Sequence, residues 1–172
     1  MNTNTAQTTI SVARLTTPLG DMHLFGASPG LLTITLPGQP RAAGEALVRR
    51  WLGPVTFSEQ PAALAGALTQ LTEYFAGQRQ VFDLPLDLRG TPFQQRVWQA
   101  VLVVPYGETR TYGQIAVAIG KPAAARAVGA ANGRNPISIV VPCHRVIGAS
   151  GSLTGYAGGL ERKRLLLELE IG

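Results

Sequence analysis

The sequence predicts an α+β fold, in which a small N-terminal domain with an antiparallel sheet and helices precedes a mainly helical C-terminal domain. Three observations support this prediction. Short alternating apolar segments occupy residues 10–36, helical spacing dominates residues 43–75 and 92–132, and residues 78–91 between them show no period. We therefore expect a boundary near residue 90 and two domains, 1–89 and 90–172.

The strands and helices of the first domain are predicted from the spacing of apolar residues and from the turn residues between them. Three short segments with β-strand character are predicted to pair as a sheet: Ile10–Leu15, His23–Phe25 and Leu31–Leu36. Helical spacing follows over residues 43–52 and 61–75. In the second of these helices Gly77 comes just after the end, and one apolar stripe runs through Leu64, Leu68, Leu71 and Phe75.

The second domain begins with three predicted helices. Thr91 and Pro92 supply an N-cap and a first-turn proline for a helix that extends to Leu102. Two short helices over residues 111–119 and 123–132 flank a Gly-Lys-Pro break. This arrangement predicts a helix-turn-helix.

A lone cysteine follows the helices. The β-branched run 137–141 predicts a buried strand, and Cys143 and His144 come directly after its end. Such a thiol cannot form an internal disulfide, so it is either a nucleophile or an inert core residue. Because neighbours in extended chain point to opposite faces, a bend or a bridging water is needed before His144 can act on the sulfur.

Composition excludes several classes of protein. No apolar run is long enough to span a membrane, and residues 1–7 lack the features of a targeting segment, so we expect a soluble, cytoplasmic protein. One cysteine and two histidines exclude a thiolate zinc site, and we expect no metal and no cofactor. The whole net charge of +5 falls in residues 90–172, which fits either a polyanionic partner or ordinary surface charge.

The second helix of the helix-turn-helix consists almost entirely of small side chains around Arg126. It lacks the long polar side chains that read bases in the major groove. A smooth helix with one protruding arginine suits the minor groove, where a side chain can enter the base stack. Internal packing of the small-residue face is the alternative at this point.

With these residues in place, the chain resembles the methylated-DNA–protein-cysteine methyltransferase family, also called O6-alkylguanine-DNA alkyltransferases. The resemblance is strongest from Thr91 to Glu170. It rests on ordered agreement of several motifs: Pro142–Val146, Arg126–Gly129, Asn135-Pro136, Gly155–Leu160 and a glutamate near the C-terminus. The resemblance implies single-turnover transfer of an alkyl group from guanine O6 in DNA to a cysteine that is not regenerated.

The resemblance also implies roles for particular residues. Cys143 accepts the alkyl group, His144 acts on it through water, and Glu170 orients His144, with Glu168 as the competing glutamate. Base flipping is required to bring the lesion to the thiol. Arg126 then enters the vacated stack, and Tyr112 assists the leaving guanine. The DNA-facing side of the recognition helix is expected to include Ala123, Arg126, Ala127 and Ala130, together with Tyr112.

The implied substrate pocket contains Asn135, the backbone carbonyls of Cys143 and Val146, Tyr156 and Ala157. Asn135 would tie the helix-turn-helix to the nucleophile. Two departures from some relatives bear on the pocket: Ala157 stands in place of a serine, and Ser138 in place of a proline on the pocket wall. The first removes a hydroxyl near O6, and the second affects the tolerance for bulky alkyl groups.

The expected partner is double-stranded DNA carrying alkylated guanine, bound by a monomer. The sequence does not indicate whether O4-alkylthymine is also a substrate or whether several molecules cluster on DNA. Three alternatives are a non-catalytic alkyltransferase-like lesion binder, a cysteine hydrolase built on Cys143, His144 and Glu170, and a transcription regulator. The retained cysteine disfavours the binder, the helix-turn-helix disfavours the hydrolase, and the smooth recognition helix disfavours the regulator.

Overall fold

A computed structural model describes residues 7–172, so the expectation about a targeting segment in residues 1–7 falls almost wholly outside it. The strands and helices, in chain order, are β1 (Thr9–Thr17), β2 (Gly20–Ala27), β3 (Gly30–Ile34), α1 (Arg41–Leu52), β4 (Thr56–Glu59), α2 (Ala65–Phe75), α3 (Pro92–Leu102), β5 (Arg110–Thr111), α4 (Tyr112–Ala118), α5 (Ala125–Asn132), β6 (Val146–Ile147) and α6 (Leu160–Ile171). The predicted α+β class is confirmed.

The N-terminal sheet has four strands in the order β3-β2-β1-β4. The three predicted strands pair antiparallel, as expected. The fourth, β4, was not predicted and runs parallel to β1, so the sheet is mixed. Its four residues, Thr-Phe-Ser-Glu, are too few to show an alternating pattern.

Both faces of this sheet are covered. One face packs against α1 through a small cluster that includes Ile10, Phe25 and Val48. Gly44 in α1 makes this possible, because a Cβ atom there would lie 2.2 Å from the Phe25 ring. The other face joins a larger cluster that includes Leu71 of α2 and Trp98 of α3. The larger hydrophobic core is therefore built from both halves of the chain.

The predicted N-terminus of α3 is confirmed by a reciprocal pair of hydrogen bonds. Thr91 Oγ1 accepts from the Gln94 backbone amide, and the Gln94 side chain accepts from the Thr91 amide. Thr111 and Gln114 form the same capping box at the start of α4. These caps satisfy backbone donors that would otherwise lack partners, and they fix where both helices begin.

The segment before Cys143 corrects one prediction. Residues 137–141 do not form a strand; they make a turn in which the Val141 amide donates to the Ile137 carbonyl at 2.9 Å. Ile139 has a φ of 77°, a conformation that β-branched residues rarely adopt. The run is buried, as its composition indicates, but it is folded back on itself rather than extended.

None of the helices described for residues 7–172 is both long and apolar enough to cross a membrane.

Candidate active site

Cys143 lies at the start of a single 3₁₀ turn, Cys143–Arg145, and is 4% exposed. Its backbone amide donates to the Val141 carbonyl at 2.8 Å across Pro142, which produces a bend that an extended strand would not have. Burial raises the pKa of the Cys143 thiol. The Asn135 and Ser138 side chains and the positive charge of Lys163 act in the opposite direction and lower this pKa.

His144 and Glu170 meet in the interior, although they lie on different elements. The His144 Nε2 atom is 2.7 Å from Glu170 Oε1, and both side chains are fully buried. The competing Glu168 points to the surface of α6 and pairs with Arg164. The structure therefore brings together the histidine and the glutamate to which the family resemblance assigned catalytic roles.

The Glu170 carboxylate receives hydrogen bonds from three further groups. Tyr74 donates to Oε1 at 2.7 Å, and the Gly107 amide donates to Oε2 at 3.1 Å. Arg145 donates to both oxygens, through Nε at 2.9 Å and Nη2 at 3.0 Å. Burial opposes the charged form, but the hydrogen bonds from His144 and Arg145 outweigh it and lower the pKa of Glu170 to about 2. Glu170 is therefore ionised at neutral pH.

This charge determines which nitrogen of His144 carries the proton. An ionised carboxylate only accepts, so Nε2 must be the protonated nitrogen that faces Glu170. Burial lowers the pKa of His144, which makes the neutral ring the main form at neutral pH. The remaining nitrogen, Nδ1, then has a free lone pair, is buried, and has no hydrogen-bond partner in residues 7–172. Within the same residues, no hydrogen bond joins the Cys143 sulfur directly to the His144 ring.

Lys163 is a buried cation about two turns before Glu170 in α6, with 0% of its surface exposed. Its ammonium donates to the backbone carbonyls of Val146 at 2.6 Å and Thr154 at 2.8 Å. It has no carboxylate partner in the part of the chain that the structure describes. Burial lowers the pKa of Lys163, and the negative form of Cys143 raises it. The charges of Cys143 and Lys163 thus stabilise each other.

Two asparagines hold the backbone around the nucleophile. Asn135 bridges its own loop, since its Nδ2 donates to the Val141 carbonyl at 2.7 Å and its Oδ1 accepts from the Ile137 amide at 3.0 Å. Asn132, the last residue of α5, donates from Nδ2 to the Cys143 carbonyl at 3.1 Å. The direct hydrogen bond from α5 to the backbone of Cys143 therefore comes from Asn132, which the sequence analysis did not select.

The side of α5 that was expected to face DNA is open to solvent. Arg126, Ala127 and Ala130 are exposed, whereas Val128 and Ala131 on the opposite side are buried. Ala123 is also exposed, but it precedes α5, which begins at Ala125 rather than at the predicted Ala123. The internal-packing alternative for this small-residue face is therefore wrong.

The remaining predicted residues surround the loop 154–158. Tyr112, the first residue of α4, donates its hydroxyl to the Thr154 carbonyl at 2.7 Å, next to the Lys163 contact. Tyr156 is half-buried, and its pKa is raised mainly by burial and to a smaller extent by the charged form of Cys143. Ala157 is exposed, and Val146 is buried.

Tyr74, Arg145 and Lys163 are the functional-site residues that sequence reasoning missed, together with Asn132. A signal for Lys163 was present in α6: residues 163, 166 and 170 share one helix face, and two of these three core positions carry charges. Tyr74 and Asn132 had no such signal, because their hydrogen-bond partners, Glu170 and the Cys143 carbonyl, are not indicated by any periodic sequence pattern.

The side chains at this site do not resemble a metal centre. Within residues 7–172, no three histidine, cysteine or acidic side chains are grouped so that they could hold an ion.

Comparison with known families gives matches along nearly the whole chain. A model described as "6-O-methylguanine DNA methyltransferase, DNA binding domain" matches residues 92–171. A second model, described as "6-O-methylguanine DNA methyltransferase, ribonuclease-like domain", matches residues 11–88. The methylated-DNA–protein-cysteine methyltransferase of Mycolicibacterium paratuberculosis is 54% identical over 156 residues, which cover 89% of this chain and 87% of that protein.

Solved structures show the same similarity. The Mycobacterium tuberculosis O6-methylguanine methyltransferase superposes with a TM-score of 0.81 at 51% identity, covering 94% of this chain and 93% of that one. The M. tuberculosis OGT in complex with DNA gives a TM-score of 0.80 at 51% identity, covering 95% and 92%. The similarity therefore includes both halves of the chain and a relative seen bound to DNA.

Proposed function

The chain belongs to the methylated-DNA–protein-cysteine methyltransferase family, and we propose that it repairs DNA by moving an alkyl group from guanine O6 to Cys143. The observation that carries this proposal is a buried lone thiol followed in the chain by a histidine whose free nitrogen has no partner among the residues that the structure describes. One group is transferred per molecule, because nothing in the reaction restores the thiol. We further propose that the protein acts as a monomer in the cytoplasm.

The first step is deprotonation of Cys143. The ring nitrogen Nδ1 of His144 has a lone pair that can take the proton through a water molecule, and the resulting imidazolium is stabilised by Glu170 through Nε2. Glu170 keeps its own charge throughout, since its pKa is held near 2. Lys163 supplies the counter-charge for the thiolate, which offsets part of the cost of forming it in a buried site.

The second step is displacement at carbon. The thiolate sulfur forms a bond to the alkyl carbon, the bond from that carbon to guanine O6 breaks, and its electron pair stays on the purine. A proton returned to the purine completes an unmodified guanine. We assign Tyr112 to this stage: its hydroxyl, which donates to the Thr154 carbonyl in this structure, would turn to the leaving base.

The lesion reaches the thiol by base flipping. Guanine O6 is stacked inside a duplex, whereas Cys143 is buried, so the nucleotide must leave the helix. The exposed face of Ala123, Arg126, Ala127 and Ala130 lets the backbone of α5 approach the minor groove closely, and Arg126 fills the space left by the flipped base.

We assign recognition of the flipped guanine to the pocket beside Cys143. The Val146 carbonyl accepts a hydrogen bond from the Lys163 side chain, and its second lone pair can accept from the guanine amino group. The Cys143 carbonyl accepts from the Asn132 side chain and from the Val146 amide, so it would share one of these acceptor positions with the guanine. Tyr156 and Ala157 contribute the loop side of the pocket, and Asn135 supports its floor.

This function is tested by mixing the protein with an excess of duplex that contains O6-methylguanine and measuring restored guanine in the DNA. The proposal predicts a plateau at one guanine restored per protein molecule, absent in Cys143→Ala. Continued turnover would favour the cysteine hydrolase. Tight binding without restored guanine would favour the alkyltransferase-like binder.

A further inference from the structure

A groove of about 800 Å³ lies between the two halves of the molecule. Its walls come from β3 and α1 on one side and from the start of α3 and residues 133–136 on the other. Its lining includes Asn135 and Ala157, two residues of the candidate substrate pocket. The groove therefore shares part of its wall with the place where the flipped nucleotide is proposed to enter.

All the charged side chains that line this groove are positive. Three arginines line it, Arg50, Arg89 and Arg134, and no aspartate or glutamate does. Arg89 is neutralised by Asp87 at 2.8 Å. Arg50 and Arg134 are exposed and form no ion pair in the part of the chain that the structure describes. Two uncompensated guanidinium groups from different halves thus face the same space.

An aromatic side chain adds to this basic surface. Trp51 lies in the groove and is partly exposed, next to Arg50 at the end of α1. Paired cations with an exposed aromatic ring are the combination with which proteins bind strands of nucleic acid: the cations hold phosphates and the ring stacks on bases or sugars.

We propose that this groove binds the DNA strand that carries the lesion, beyond the nucleotide that is flipped. Arg50 and Arg134 bind its phosphates, and Trp51 packs against a neighbouring sugar or base. This inference rests on the proposed function, because the groove is placed by the wall that it shares with the Asn135 and Ala157 pocket. It gives the N-terminal half a direct part in DNA binding.

The first test is the salt dependence of DNA binding, measured by fluorescence anisotropy with a lesion-containing duplex. Each phosphate contact contributes a slope of about 0.9 in log affinity against log salt. The double substitution Arg50→Gln and Arg134→Gln is expected to lower the slope by about two and to weaken binding on the order of tenfold or more at low salt. An unchanged slope and affinity would overturn the proposal.

Two controls separate charge from folding. Arg50→Lys with Arg134→Lys keeps both charges and should keep the slope, whereas a loss equal to that of the Gln pair would argue against phosphate binding. Arg14→Gln removes a charge from β1, where the side chain is 64% exposed and pairs with Asp21, and should change neither slope nor affinity.

Trp51 provides an independent readout. The chain has two tryptophans, and both line the groove. Trp98 is only 2% exposed and cannot stack on a base, so a change in tryptophan emission on DNA binding is expected to come from Trp51. The change should vanish in Trp51→Phe; its persistence there would overturn the stacking contact. Alkylation of wild-type Cys143 by free O6-methylguanine base, measured in parallel, tests the proposed function without any strand in the groove.

Discussion

Glu170 shows how a single residue sets the chemistry of the site. One carboxylate collects hydrogen bonds from Tyr74, Gly107, His144 and Arg145, so it stays charged although its side chain is buried. That fixed charge holds the proton of His144 on Nε2 and leaves Nδ1 free to take the proton of the thiol. A buried carboxylate with fewer donors would protonate instead and would lose this effect.

We expect Glu170→Gln to slow alkyl transfer about a hundredfold, because the neutral amide cannot stabilise the imidazolium of His144. Single-turnover kinetics with a lesion duplex measures this loss. Glu168→Gln is the matched control, since Glu168 lies two residues away on the surface and pairs with Arg164. Equal rates for both variants would contradict the assigned role of Glu170.

Lys163→Met should raise the pKa of the Cys143 thiol. The substitution keeps a long apolar side chain but removes the positive charge that lowers this pKa. Only the thiolate reacts, so the rate of alkylation by iodoacetamide rises with pH up to the thiol pKa. The pH profile of the variant should therefore move to higher pH. A profile that stays in place, or that moves equally in Arg164→Met, would rule out Lys163 as the counter-charge.

Among the secondary-structure elements, α5 connects the surface that we propose to face DNA with Cys143. Its exposed side carries Arg126, and its last residue, Asn132, donates to the Cys143 carbonyl. Trp98 also donates to the end of this helix, from Nε1 to the Ala131 carbonyl at 2.9 Å, but it has no bond to Cys143. Substituting Trp98 is therefore expected to affect the stability of the end of α5, whereas substituting Asn132 should also affect the position of Cys143.

Asn132→Leu and Trp98→Phe should therefore differ in their effects. Both remove a buried hydrogen bond at the end of α5, at a cost of roughly 1–3 kcal/mol in the free energy of unfolding. Transfer from DNA should slow more in Asn132→Leu for an equal loss of stability. Denaturant unfolding and single-turnover rates measure the two quantities. Rates that simply follow stability in both variants would remove the positioning role of Asn132.

Sequence patterns predicted the elements whose signals are local. The Thr91 cap and the periodic helices could be located because their residues lie within a few positions of one another. The segment 137–141 was predicted as a strand, since its β-branched composition is typical of strands. The positive φ of Ile139 and the turn held by Asn135 depend on surroundings that no short window contains.

The candidate site was predictable to the extent that family motifs mark it. Cys143, His144 and Glu170 could be chosen from the resemblance, and the structure places the last two in contact. Tyr74 lies 96 residues from Glu170 in the chain, so no local sequence pattern indicates the hydrogen bond between them. The division into domains at residues 89 and 90 stays a prediction.

On the scale of the whole molecule, the two halves share one hydrophobic core. The larger cluster contains Leu24 and Leu71 from the first half and Trp98, Val128 and Leu166 from the second. The Tyr74 hydroxyl adds a polar link from the first half to Glu170. The N-terminal half therefore supports the active site directly rather than forming an independent unit.

Unfolding is consequently expected to be a single cooperative transition. Each half contains one tryptophan, Trp51 and Trp98, so Trp51→Phe and Trp98→Phe each leave a fluorescent probe in the other half. Within each variant, fluorescence and far-ultraviolet circular dichroism should give the same denaturant midpoint. A midpoint for Trp51 that differs from the circular dichroism midpoint would show that the halves unfold separately.

The most direct test of the proposed transfer is the mass of the peptide that contains Cys143 after reaction with an O6-methylguanine duplex. We expect this peptide to gain one methyl group in place of the thiol hydrogen and fragmentation to place the methyl on Cys143. A second addition of substrate should add nothing more. A methyl group on another residue, or repaired DNA with Cys143 unmodified, would contradict the proposed transfer.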